Sequence, residues 1–248
     1  MMNLKSRRIL GLIAGMAILG VAAPSSMGQA DAPKSKTPSA TQPAKDHNKD
    51  GKDHKDHKDH KDHGKADGNG TVTIGQVAPA FELKDTEGKT VKLADFKGKI
   101  VVLEWFNPEC PYVKKQYEVN HTMPDTYAKY KDKGVVWLAI NSGAAGKQGA
   151  GQEQSAKAKA DWKIAYPILL DESGKTGKAY GSKNTPTMFI IDAEGKLAYM
   201  GAIDNDDSAK KAGSINYVDQ ALGQILAKET VSTPVTKAYG CSVKYGGS

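Results

Sequence analysis

Ile100 to Phe106 reads Ile-Val-Val-Leu-Glu-Trp-Phe, an apolar run broken only by Glu104 and stopped by Asn107-Pro108. A run with no polar face predicts a strand buried on both sides, which belongs inside a sheet covered by helices. Val135 to Ile140 and Pro167 to Leu170 are two more such runs. Helical patterns separate them. Pro111 suits the first position of a helix, expected to run to about Lys131 with a break near Pro124, and Gln152 to Lys163 is rich in Ala, Lys and Gln. Short alternating runs, Val72-Thr73-Ile74 and Phe81-Glu82-Leu83, precede a turn at Asp85-Thr86-Glu87-Gly88 and a further strand at Thr90 to Leu93. Thr187 to Ile191 and Lys196 to Ile203 flank Asp192-Ala193-Glu194-Gly195 and predict an antiparallel hairpin. Ile215, Val218, Leu222, Ile225 and Leu226 recur at helical spacing. The sum is an α/β sandwich with a mixed central sheet.

Outside residues 71–230 the composition changes. In residues 1–30, Lys5, Arg7 and Arg8 precede an apolar run, Ile9 to Ala23, and a small-residue exit ending at Ala30. That pattern predicts a cleaved signal peptide, with an uncleaved membrane anchor as the alternative. Cleavage would leave no stable membrane span and would place the domain outside the cytoplasm, in a periplasmic or extracellular setting that permits disulfides. It would also remove three positive charges and both arginines, lowering the formal net charge from +7 to +4. Without guanidinium forks, sequence-specific nucleic-acid binding is not expected. Residues 31–70 carry few large apolar side chains and predict a disordered Lys/Asp/His-rich linker. His54, His57, His60 and His63 recur within Lys-Asp-His repeats. They read either as a weak Zn²⁺, Cu²⁺ or Ni²⁺ site or as a solvated tether.

Two cysteines are too few for a disulfide scaffold or a four-thiolate zinc site. Cys110 follows the first buried strand and immediately precedes the helix-starting Pro111. A thiol there lies among unpaired N–H groups at the positive end of a helix dipole, which favours the nucleophilic thiolate. The flanking Asn-Pro and Pro-Tyr predict an exposed turn rather than a packed core. His121, on the following helix, is not counted in the site.

Leu103-Glu104-Trp105-Phe106-Asn107-Pro108-Glu109-Cys110-Pro111 followed by Thr185-Pro186-Thr187 resembles the thioredoxin fold. Ala78 to Phe81, Phe96 to Lys99, Thr185 to Asp192 and Gly240 to Lys244 extend the likeness over Val72 to Lys244. That wider pattern is similar to the redoxin branch, the alkyl-hydroperoxide-reductase/thiol-specific-antioxidant family, in its exported peroxiredoxin-like members. The resemblance implies a thioredoxin-like three-layer sandwich with helices flanking the sheet. It further implies a cis Pro186 facing Cys110 and a partner groove lined by Thr185, Pro186, Asn107 and Pro111. No cofactor is implied. The substrate would be a peroxide or a protein disulfide, and a thioredoxin-like protein or small thiol would reset the enzyme.

Within that resemblance, Glu104 stands where thioredoxins carry a buried acid, and Val113 replaces the second cysteine of Cys-x-x-Cys. Glu104 reads as a proton acceptor or as a charge paired with a lysine at the sheet edge. Leu103 and Asn107 replace the Pro and Thr of the peroxiredoxin nucleophile motif, and the arginine of that family is missing after Arg8. Fast peroxide reduction is therefore not expected. Cys241, on a C-terminal tail of residues 231–248, is either the resolving thiol or half of a fixed structural disulfide. In the second case the chain would be a non-catalytic binding module.

Overall fold

The computed structural model describes residues 72–247. The signal-like segment, the linker and its four repeat histidines lie outside the described residues. The chain runs β1 (Glu82–Asp85), β2 (Thr90–Lys92), β3 (Ile100–Trp105), α1 (Pro111–Lys114), α2 (Thr122–Tyr130), β4 (Val135–Asn141), α3 (Gln152–Asp161) and β5 (Ile168–Leu170). It continues through α4 (Lys175–Ala179), β6 (Asn184–Thr185), β7 (Thr187–Ile191), β8 (Leu197–Gly201), α5 (Tyr217–Leu226) and β9 (Cys241–Ser242). Seven strands form one mixed sheet in the order β2-β1-β5-β4-β3-β7-β8, and β6 pairs separately with β9.

The apolar runs dictate the centre of the sheet. β3 is buried along its whole length and lies between parallel β4 and antiparallel β7. Val102 and Phe106 enter one core with Val113, Tyr117 and Met123, and with Val218 and Leu222 of α5. Val101, Leu103 and Trp105 enter the opposite core with Phe81, Leu138, Tyr180 and Phe189. Burying a large apolar side chain stabilises the fold by about 1.5–3 kcal/mol, so β3 anchors both faces. This is the expected thioredoxin-like three-layer sandwich.

Two local expectations are corrected. Val72-Thr73-Ile74 forms no strand, because the chain turns at Gly75 (φ +83°) and meets the edge of β8 through a Val77–Lys196 bridge. The helix after Cys110 breaks at Asn120-His121, with His121 left-handed at φ 53°, rather than at Pro124. Pro124 occupies the first turn of α2, where its missing N–H would have had no intrahelical partner. Before that break, α1 widens into a π-helical turn at Lys115–Val119, which turns Lys115, Gln116 and Tyr117 inward. Such turns recur at functional sites.

Candidate functional site

β3 ends at the Asn107 turn, where the Asn107 side chain accepts the Glu109 N–H at 2.9 Å. The Asn107 Nδ2 donates to the Gln148 carbonyl at 3.1 Å, so both ends of its amide hold loops together. This turn delivers Cys110 to the N-cap of α1, with exposed Pro111 at the first helical position. The thiol makes no capping bond. It donates instead to the Thr185 carbonyl at 3.0 Å.

Thr185 precedes Pro186 through a cis peptide bond, as the resemblance implied, and both residues are buried. The tail returns along this edge. β9 runs antiparallel to β6 with Thr185 opposite Cys241 and Asn184 opposite Ser242. Cys110 is 2% exposed and Asn107 and Pro108 before it are also buried, which corrects the expected exposed turn; among these residues only Pro111 is exposed, and the tail packs beside the cysteine. Cys241 is half-buried, and both cysteines are free thiols. Burial, followed by the hydrogen bond and charge of Cys110, pushes the Cys241 thiol up to about 12, and Lys244 opposes this. Thus the fold brings Cys110, Thr185, Pro186 and Cys241 to one place, with Asn107 holding the turn that precedes Cys110.

The sequence profile of the AhpC/TSA family matches residues 74–200. The chain belongs to the AhpC/TSA family. Its relatives include thiol-disulfide oxidoreductase ResA of Bacillus thuringiensis subsp. konkukian (strain 97-27), 35% identical over 127 residues, which are 50% of this chain and 66% of that protein. ResA of Bacillus subtilis (strain 168) is 32% identical over 132 residues, covering 52% and 68%. The chain thus spans about two thirds of the length of these relatives. Among solved structures, an uncharacterized conserved protein of Geobacillus kaustophilus matches with a TM-score of 0.64 at 28% identity, over 72% of this chain and 95% of that one. A hypothetical protein of Sinorhizobium meliloti 1021 matches with a TM-score of 0.63 at 25% identity, over 72% and 97%.

In this AhpC/TSA domain Glu104 is fully buried on the central strand, and the lysine pairing weighed for it is absent among the described residues. Tyr117 donates to both carboxylate oxygens at 2.7 and 2.8 Å, and Trp137 Nε1 and Tyr166 donate at 3.1 Å. Burial still dominates and raises the Glu104 carboxyl from 4.5 to about 7, with the three donors opposing it. Among the described hydrogen bonds none joins Glu104 to Cys110. The carboxyl reaches the helical segment that follows Cys110 through Tyr117, seven residues beyond the cysteine.

Sequence reasoning missed Tyr117, Trp137 and Tyr166, and it also missed the residues that seat the tail. Tyr239 donates to Asp204 at 2.5 Å and accepts from Gln116 at 3.1 Å. The buried Lys115 ammonium donates to the Asp206 and Ser208 carbonyls at 2.7 and 2.8 Å and lies 4.9 Å from the Tyr239 ring centre. The inward turn of Lys115 and Gln116 carries no sequence pattern of its own. Among the described residues no group of three or more His, Cys, Asp or Glu side chains is arranged to hold a metal ion. No described helix is long and apolar enough to cross a membrane.

The 144–151 loop is fitted closely to Asn107. Gly149 is left-handed (φ +68°), and a Cβ there would collide with the Asn107 Oδ1. Gly149→Ala is expected to lower the unfolding free energy by about 1–3 kcal/mol, through backbone strain and the displaced amide. Urea denaturation checks this. An unchanged midpoint would show that the loop does not restrain Asn107.

Proposed function

We propose that this chain is an exported thiol-disulfide oxidoreductase in which Cys110 is the nucleophile and Cys241 the resolving thiol. The observation that carries the reading is the placement of Cys241 opposite Thr185, whose carbonyl accepts the Cys110 thiol. The Cys110 thiolate attacks one sulfur of a protein disulfide. A mixed disulfide forms, the substrate's bond breaks and one substrate thiolate leaves. Cys241 then attacks the Cys110 sulfur, its proton passes to solvent, and the second substrate thiolate is released. A thioredoxin-like protein or a small thiol reduces the resulting Cys110–Cys241 disulfide.

The acidity of Cys241 suits this order. Burial is the largest influence that raises its pKa, and the smaller contribution of the Cys110 charge ends once Cys110 is bound in the mixed disulfide. Peroxide is the poorer substrate on this reading. Both ends of the Asn107 amide are engaged, and no arginine follows Arg8 to polarise a peroxide bond.

Stoichiometry tests the function. The reduced chain, mixed with a disulfide-bonded protein, should reduce one disulfide per chain and finish as the Cys110–Cys241 form. Hydrogen peroxide should oxidise it far more slowly. Reduction of no protein disulfide, with fast peroxide consumption, would overturn the proposal in favour of a peroxidase.

A further inference from the structure

The edge beside Cys110 is already occupied, and its occupant has the form of a substrate. Gly240 to Val243 lies extended and antiparallel along Lys183 to Thr185. The Val243 N–H donates to the Lys183 carbonyl at 2.9 Å, and Asn184 Nδ2 donates to the Gly240 carbonyl at 3.1 Å. This segment presents one cysteine, Cys241, opposite Thr185 and next to the buried nucleophile. β6 is only two residues long and, among the described residues, pairs with β9 alone, so this ladder exists only while the tail is seated.

We propose that the C-terminal strand is a built-in competitor for this edge. An extended polypeptide carrying a disulfide reaches Cys110 only by displacing Gly240–Val243 and taking over its pairing with Asn184–Thr185, and Cys241 resolves the mixed disulfide when the strand returns to its seat. Strand addition to an exposed edge is a general mode of peptide capture, with main-chain hydrogen bonds supplying affinity. The inference rests on the proposed function, because it assumes that Cys110 attacks disulfides.

The seat offers a specific way to unfasten it. Gly240 has φ +111°, and a Cβ there would strike the Thr185 carbonyl oxygen. Gly240→Val should therefore lift the strand while leaving both thiols in the sequence, its Cβ meeting Pro186 Cδ only at an ordinary contact distance of 3.4 Å. A second variant loosens the other end. Tyr245 donates to the Ser182 carbonyl at 2.7 Å, and its ring fills the space against Gly174 and Gly177, so Tyr245→Ala removes that anchor.

The test uses the full chain in a Cys241→Ser background, where Cys110 is the single thiol. It compares two probes, an unstructured peptide whose cysteine carries a thionitrobenzoate disulfide and the same disulfide on free cysteine. In each reaction the Cys110 thiolate attacks the cysteine sulfur, the bond to thionitrobenzoate breaks, and the coloured anion leaves. The readout is the peptide rate divided by the free-cysteine rate. Gly240→Val should raise this ratio by about tenfold, the effect of losing one or two ladder hydrogen bonds. Tyr245→Ala should raise it by less. A ratio that moves with neither variant, while both probes react, would overturn the competitor and leave the oxidoreductase reading intact. If neither probe reacts with Cys110 in any form of the chain, the proposed function itself fails.

Discussion

Cys110→Ser is expected to abolish disulfide reduction, lowering the rate by roughly a thousandfold or more, because a hydroxyl cannot replace the thiolate proposed to attack. Cys241→Ser has a different signature. The first attack persists, but the mixed disulfide on Cys110 accumulates, because no second thiol faces it across β6 and β9. Non-reducing electrophoresis with a protein disulfide substrate separates the two variants. Equal loss in both, with no trapped adduct, would mean that Cys241 takes part in the first step or that the pair is a structural bond. Neither substitution should cost much stability. Each exchanges a thiol for a smaller hydroxyl that can make the same hydrogen bond to the Thr185 carbonyl or face solvent at the half-buried tail.

Glu104→Gln changes the pH dependence of stability more than any other single substitution considered. The folded state raises this carboxyl from 4.5 to about 7, so the native protein keeps a proton that the unfolded chain releases. Stability is then full below the unfolded value and falls as pH rises through about 7, by about 3 kcal/mol in all. The cost arises from charging a carboxyl that is fully buried, which its Tyr117, Trp137 and Tyr166 donors offset only in part. A neutral amide in the same place cannot ionise. Glu104→Gln should therefore show no such fall between pH 4.5 and 8, and at pH 8 it should unfold later than the parent. Urea denaturation across that range measures it. The same variant separates two roles. If Glu104 moves protons during exchange, the rate falls and its inflection near pH 7 disappears. If the carboxyl only holds Tyr117 and the helix that follows Cys110, the rate stays and only the stability curve changes.

The centre of this fold was legible because burial leaves a direct trace in sequence. Ile100 to Phe106 and Val135 to Ile140 have no polar face, and they became adjacent parallel strands in the middle of the sheet. Pro111 marked its helix start for an equally local reason, since proline presets the backbone and needs no N–H partner there. The placement of Cys110 followed from those two signals together. What escaped sequence reading depends on distant partners. Glu104 is held by residues 13, 33 and 62 positions away, and nothing local distinguishes a lysine partner from two tyrosines and a tryptophan. The π-helical turn exists because Lys115 and Gln116 meet the Asp204–Ser208 loop and Tyr239, which only the completed fold supplies. β9 is two residues long, too short for any periodicity, so its seat on Thr185 and its place beside Cys110 could be seen only in three dimensions.

A redox titration of the full chain tests the couple most directly. The protein is equilibrated with graded mixtures of oxidised and reduced dithiothreitol, quenched by alkylation and mapped as peptides by mass spectrometry. A reversible Cys110–Cys241 linkage, two hydrogens lighter than the dithiol and returning to two alkylated peptides as the mixture becomes reducing, is the expected result. Two cysteines that stay alkylated across the whole range, or a linkage that no mixture reduces, would contradict a working redox pair.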